Sequence, residues 1–137
     1  MPPISRGQRA LRVGESIRQL GVKLSDPSKA TLVFEALVVA RDALSQLVYS
    51  CREAKSMYLS LPRVRAAILD AGEEFSAHLD KLDTELGILR DSITANDTNF
   101  DRSATELIRL GANIKLVSFE PREKPLANAN AVEMNDD

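Results

Sequence analysis

A single cysteine, Cys51, leaves no internal disulfide possible, and a reducing compartment is the simplest setting for it. Histidine is as scarce, with His78 alone. Metal sites of the usual kind need several His, Cys or clustered acids, and a di-metal carboxylate bundle needs two Glu-x-x-His motifs. No tryptophan is present and aromatics make up 4 % of the chain. A core with so few rings must be built from Leu, Ile, Val and Ala, which suits helix-on-helix packing better than sheets. The glycines at 7, 14, 21, 72, 87 and 111 match neither G-x-G-x-x-G nor G-x-x-x-x-G-K-[ST], so no phosphate-binding loop is expected. The longest charge-free apolar-rich run, Ala43 to Cys51, falls far short of the ~20 residues of a membrane span. The opening Met-Pro-Pro-Ile-Ser-Arg lacks the apolar core of a signal peptide. These absences lead us to expect a soluble cytoplasmic or otherwise intracellular chain with no membrane span, cofactor, metal or catalytic residue.

What is present is helical periodicity. The 137 residues suit one domain, and 44 % hydrophobic with 28 % charged residues is the composition of a folded chain. Apolar or small residues fall at Val33, Leu37, Ala40, Leu44, Leu47, Cys51, Ala54, Tyr58 and Leu61, in alternating steps of four and three. That spacing keeps them on one helix face along a seam with a partner helix. It predicts one long helix from Pro27 to Leu61, with Ser25 or Asp26 as its cap. Nearly every residue from Leu32 to Ala40 is apolar, so the first half of this helix is expected to be surrounded by others. From Ser45 the off-seam positions turn polar, which predicts a simpler pair.

Shorter patterns flank this helix. Ala10, Val13, Ile17, Leu20 and Leu24 predict a first helix from about Arg6 to Lys23. Gly7, Gly14 and Gly21, spaced seven apart, form one stripe on it. Each glycine costs a helix interior ~1 kcal/mol against alanine, so the stripe marks either close approach of another helix or a frayed element. Beyond Pro62 the seam resumes at Ile68, Ala71, Phe75, Leu79, Leu82, Leu86, Leu89 and Ile93, with Asp70, Glu73, Glu74, Asp80, Asp83, Glu85 and Asp91 as an acidic outer face. Thr94 to Asn99 is poor helix material. A turn at 95–98 is expected there, although a helix running on from 62 to 117 fits the spacing too. Thr98 with Asp101 resembles a capping box, which opens a fourth helix reaching about Val117. The expected domain organisation is a flexible 1–5, a helical domain over 6–119 and a flexible acidic tail over 120–137.

The fold expected from these patterns is all-α. A long antiparallel helical hairpin of about 45–50 Å carries two shorter helices, which form a four-helix bundle at its open end. Its far end projects as a tip holding Met57, Tyr58, Leu59, Leu61, Arg63, Val64 and Arg65. A two-helix tip has too little surface to bury all its apolar side chains, so these residues are candidates for binding a protein partner or a second copy.

Charge supplies the competing reading. Residues 1–65 hold 11 bases against 5 acids, net +6, and residues 66–137 hold 7 against 15, net −8. Either the halves attract each other, within one chain or between copies, or the first helix is a basic arm. Arg6, Arg9, Arg12, Arg18 and Lys23 are the candidates for phosphate contact. Without aromatics in that helix, nucleic-acid binding would be non-specific. A Cys51–His78 nucleophilic pair is conceivable across the hairpin, but a thiol on an apolar seam is usually inert packing. The expectation is therefore a non-enzymatic helical interaction or assembly module, with a small nucleic-acid-associated regulator as the alternative.

Overall fold

The computed structural model describes residues 5–114. Four helices pack against one another: α1 (Arg6–Lys23), α2 (Ala30–Arg52), α3 (Pro62–Thr94) and α4 (Asp101–Asn113). Of the expected flexible start at 1–5, Ser5 is instead the cap of α1 and 1–4 lie outside the described residues, as does the acidic tail over 120–137. The fourth helix ends at Asn113 rather than about Val117, because Ile114 leaves the helical region at φ −86, ψ 86.

Local chemistry sets the helix boundaries. Ser5 caps α1, its hydroxyl accepting from Gln8 N–H at 3.1 Å while Gln8 Oε1 accepts from Ser5 N–H at 3.3 Å. This reciprocal box satisfies two backbone donors that a helix start leaves open. Asp26 is the cap expected before the second helix; its carboxylate accepts from Ser28 N–H at 3.1 Å and opens a short 3-10 turn, Pro27–Lys29. α3 closes with Asn96 at φ 59, while Asp97 N–H donates to Ser92 O and Asn96 N–H to Ile93 O, both at 3.0 Å. That is a Schellman closure, and it realises the turn rather than the continuous helix. The start of α4 departs from expectation: Asn99 Oδ1, not Thr98, meets Asp101 N–H at 2.9 Å. Asn96→Val is expected to cost about 1–2 kcal/mol, because a branched side chain tolerates the left-handed backbone poorly, whereas Asn96→Gly should be neutral or slightly stabilising. Urea denaturation of the two variants checks this.

Residue pairs fix the register of three helix contacts, and all three run antiparallel. Between α2 and α3, Arg41 Nε meets Asp83 at 2.8 Å and Arg52 reaches Ser76 at 3.4 Å. Between α3 and α4, Lys81 lies 3.4 Å from Glu106 and Arg102 lies 3.7 Å from Glu85. α1 and α4 touch backbone to backbone. A Cβ on Gly14 would fall 2.8 Å from Gly111 O and closer still to Ile114 O, and one on Gly21 would fall 3.0 Å from Ala104 O. At Gly14 and Gly21 the glycine stripe is thus a close-approach surface rather than a frayed helix. α1 also packs on α2, so each helix has two helical neighbours.

That arrangement corrects two expectations. The first half of α2 is not surrounded: Val33, Leu37 and Ala40 are buried, but Leu32 is 63 % and Val39 69 % exposed. With α1 and α3 as its neighbours, α2 keeps an outward face that no other helix among the described residues covers. α2 also ends at Arg52 rather than Leu61, through a 3-10 turn at Glu53–Lys55. One expectation for α3 changes as well. Glu85 is 2 % exposed, because its position on the wheel points toward α4 and away from the acidic outer face.

Candidate functional site

The connection between α2 and α3 is built by three local events. Ser56 tightens the end of the helix, its hydroxyl and its N–H both donating to Glu53 O, at 3.2 and 3.1 Å. A serine that reaches back to a carbonyl competes with continued helix. Tyr58 then adopts φ 56, a left-handed conformation that costs a residue with a Cβ about 1–2 kcal/mol. Its carbonyl accepts from Leu61 N–H at 2.9 Å, and its side chain packs against the core. Finally, Leu61 is forced out of the helical region (φ −129, ψ 68) by Pro62 at the first position of α3.

This backbone separates the expected tip residues into two groups. Met57, Leu59, Leu61 and Arg63 are exposed. Leu59 reaches 70 % and Leu61 52 %, high for leucines at a turn. Tyr58 and Val64 are partly buried against the core, and Arg65 is partly buried with its Nε out of reach of any hydrogen-bond partner. Of the seven expected tip residues, Met57, Leu59, Leu61 and Arg63 therefore form the exposed part.

The candidate basic residues of α1 do not gather into one patch. Arg6 is committed to α2, with Nε donating to Ser50 Oγ at 2.9 Å and Nη2 to Ser50 O at 3.5 Å. Arg18 lies on the α4 side, its backbone N 2.5 Å from where a Gly111 Cβ would sit. Its guanidinium donates to Glu15, through Nε at 3.0 Å. Arg9, Arg12 and Lys23 remain exposed on the opposite flank.

The Arg18 and Gln19 side chains hold the Glu15 carboxyl down to about 2, well below the usual range. A carboxylate lowered in the folded state adds stability above its unfolded value and loses it as pH falls through about 2. A side-chain NMR titration should place the Glu15 midpoint near 2. Arg18→Ala should return it toward the ordinary carboxylate range.

Burial disfavours the charged form of both Cys51 and His78. Cys51 is fully buried against Gly72, and burial pushes its thiol up, opposed by the nearby charges of Arg6 and Arg9. A thiol kept protonated is a poor nucleophile. His78 is half-buried, and burial pushes its imidazole down, with Glu74 opposing. Among the described residues no group of three or more His, Cys, Asp or Glu could hold a metal ion, and no helix is long and apolar enough to cross a membrane.

A second exposed apolar surface was not anticipated. Leu32, Val38, Val39 and Tyr49 lie on the outward side of α2, interspersed with Glu35 and Asp42. At 100° per residue they share an arc of about 120°, opposite the seam. Its signal in the sequence is the all-round apolar character of 32–40, which predicts burial, whereas the structure exposes Leu32, Val38 and Val39. Comparison of the chain with protein-family models, curated proteins and solved structures finds no match.

Proposed function

We propose that this chain is a non-enzymatic helical interaction module that binds a protein partner through the α2–α3 connection. The observation that carries the reading is the trio Met57, Leu59 and Leu61, left exposed by a turn that needs a left-handed tyrosine. A connection serving only as a link would favour polar residues or glycine at such positions. In this reading α2 and α3 form a long hairpin and α1 and α4 complete a bundle at its open end, so that the connection projects. The antiparallel contacts of Arg41 with Asp83 and of Gly14 with Gly111 support that arrangement. The lone Cys51 suits an intracellular setting, where a buried thiol stays reduced.

A photo-crosslinker at position 59 tests the reading. Adducts are expected in a lysate, and they should be lost from a Met57→Ser/Leu59→Ser/Leu61→Ser variant crosslinked from position 63. The melting temperature of that variant should change little, because exposed substitutions are usually within ~0.5 kcal/mol each. Absence of any adduct from the wild-type tip would end it.

The alternative, a nucleic-acid-associated regulator, is favoured by the exposed Arg9, Arg12 and Lys23 flank. Its test is a gel shift at low salt, expected to vanish with Arg9→Glu/Arg12→Glu. No shift at low salt would dismiss it.

A further inference from the structure

The tip and the outer face of α2 are complementary in two independent respects. Both expose large apolar side chains: Met57, Leu59 and Leu61 at the tip, and Leu32, Val38, Val39 and Tyr49 on α2. Their charges are opposite. Residues 52–65 hold Arg52, Lys55, Arg63 and Arg65 against Glu53 alone. Between Thr31 and Ser50 the acids are Glu35 and Asp42, both exposed, and the single base, Arg41, lies 2.8 Å from Asp83 and 4.0 Å from Asp42, leaving Glu35 without a base on this face. One copy cannot bring its own tip onto Leu32, Val38 and Val39. The stretch of α2 between Val39 and Arg52 is a rigid rod of about 20 Å, and the tip grows from its end. A face-to-face pairing of two α2 helices is disfavoured, because it would bring the acids of each copy together while the one base of the stretch, Arg41, is already shared between Asp83 and Asp42.

We infer that the partner of the tip is a second copy of this chain, whose α2 outer face receives it. This rests on the tip being an interaction site, as proposed above. The contact is head-to-side, with Leu59 and Leu61 of one copy against Val39 and its neighbours on the next, and Lys55 near Glu35 and Asp42. Because the two surfaces differ, each copy has one tip and one face to offer, and assembly continues into a ring or an open chain. Apolar contact supplies the attraction and the charge pattern fixes which surface meets which.

Sedimentation of the purified full chain over a concentration series, at low and high salt, tests the inference with two variants at exposed positions, Leu59→Asp and Val39→Asp. Wild-type protein is expected to form multiples of the chain mass, weakening as salt rises. Each variant alone should weaken self-association by about tenfold or more, the effect of removing one interface anchor. Mixed together, the two variants keep one intact tip and one intact face between them, so they should form one-to-one dimers and stop there. Circular dichroism confirms that both variants are folded, and Leu59→Gln with Val39→Gln gives a milder second pair should either be unfolded. A monomeric wild type at every concentration overturns the inference. So does a loss confined to the Val39 variant, which means face-to-face pairing, a loss confined to the Leu59 variant, which means tip-to-tip pairing, or a mixture that stays monomeric. A monomeric wild type whose position 59 still crosslinks to another protein in lysate refutes the second copy while sparing the tip as a binding site; absence of both refutes the two together.

Discussion

Gly111→Ala is expected to destabilise the protein by about 3 kcal/mol, at the upper end of overpacking costs, while the same change at Gly87 should stabilise it by about 0.5–1 kcal/mol. Both glycines are interior to helices, and alanine is the better helix former by ~1 kcal/mol at either site. What differs is the space. A Cβ on Gly111 would lie 2.5 Å from both Arg18 N and Gly14 O, whereas one on Gly87 meets nothing within 4 Å. The obstructing atoms at Gly111 are backbone, so no rotamer change relieves the clash. α1 and α4 must separate, and the packing of Ile17, Leu107 and Leu110 between them loosens. Urea denaturation of the two single variants reads the opposite signs directly. A neutral Gly111→Ala would mean that the two helices do not approach as closely as described.

Glu85→Met is expected to stabilise the protein by about 2 kcal/mol, within the range seen when buried ion pairs are replaced by apolar residues of similar volume. The Glu85 carboxylate is 2 % exposed, its buried Oε1 has no hydrogen-bond partner, and the nearest cation is Arg102 at 3.7 Å. Arg102 itself is exposed and surrounded by solvent, so its attraction is screened. Desolvation of the carboxylate therefore outweighs the pair. Glu85→Gln removes the charge but keeps a polar group and should fall between wild type and Glu85→Met. Arg102→Ala should be destabilising, since it strips the buried charge of its one partner. A Glu85→Met variant less stable than wild type by more than about 1 kcal/mol would show that the carboxylate is better solvated than its burial implies.

Part of the candidate surface was visible in the primary sequence. The density of apolar residues around Ser60-Leu61-Pro62 marked the turn, because proline cannot continue a helix and restricts the residue before it. The composition of 57–65 indicated apolar residues with nearby bases. Which of them face solvent was not legible. That depends on Tyr58 taking a left-handed backbone, and nothing in the local pattern separates it from the seam it continues. The break at Arg52 was hidden for the same reason: Ala54 and Tyr58 keep the seam spacing although the helix has already tightened and stopped. The outer face of α2 departs in the opposite sense: its apolar pattern predicts burial, and the structure leaves it exposed.

The linear sequence by itself determined the all-helical character, the boundaries near Lys23, Pro62 and Thr94, and the seam residues from Val33 to Cys51 and from Ile68 to Leu89. Each of these follows from periodicity, proline stereochemistry or capping, which act over one or two helical turns. Tertiary structure alone decided that the glycine stripe meets a backbone, that Glu85 is buried and that Leu32 and Val39 are not. Those outcomes depend on how many neighbours each helix has and on which side they lie. Residues far apart in the chain set that number, and the pattern within a single helix carries no record of it.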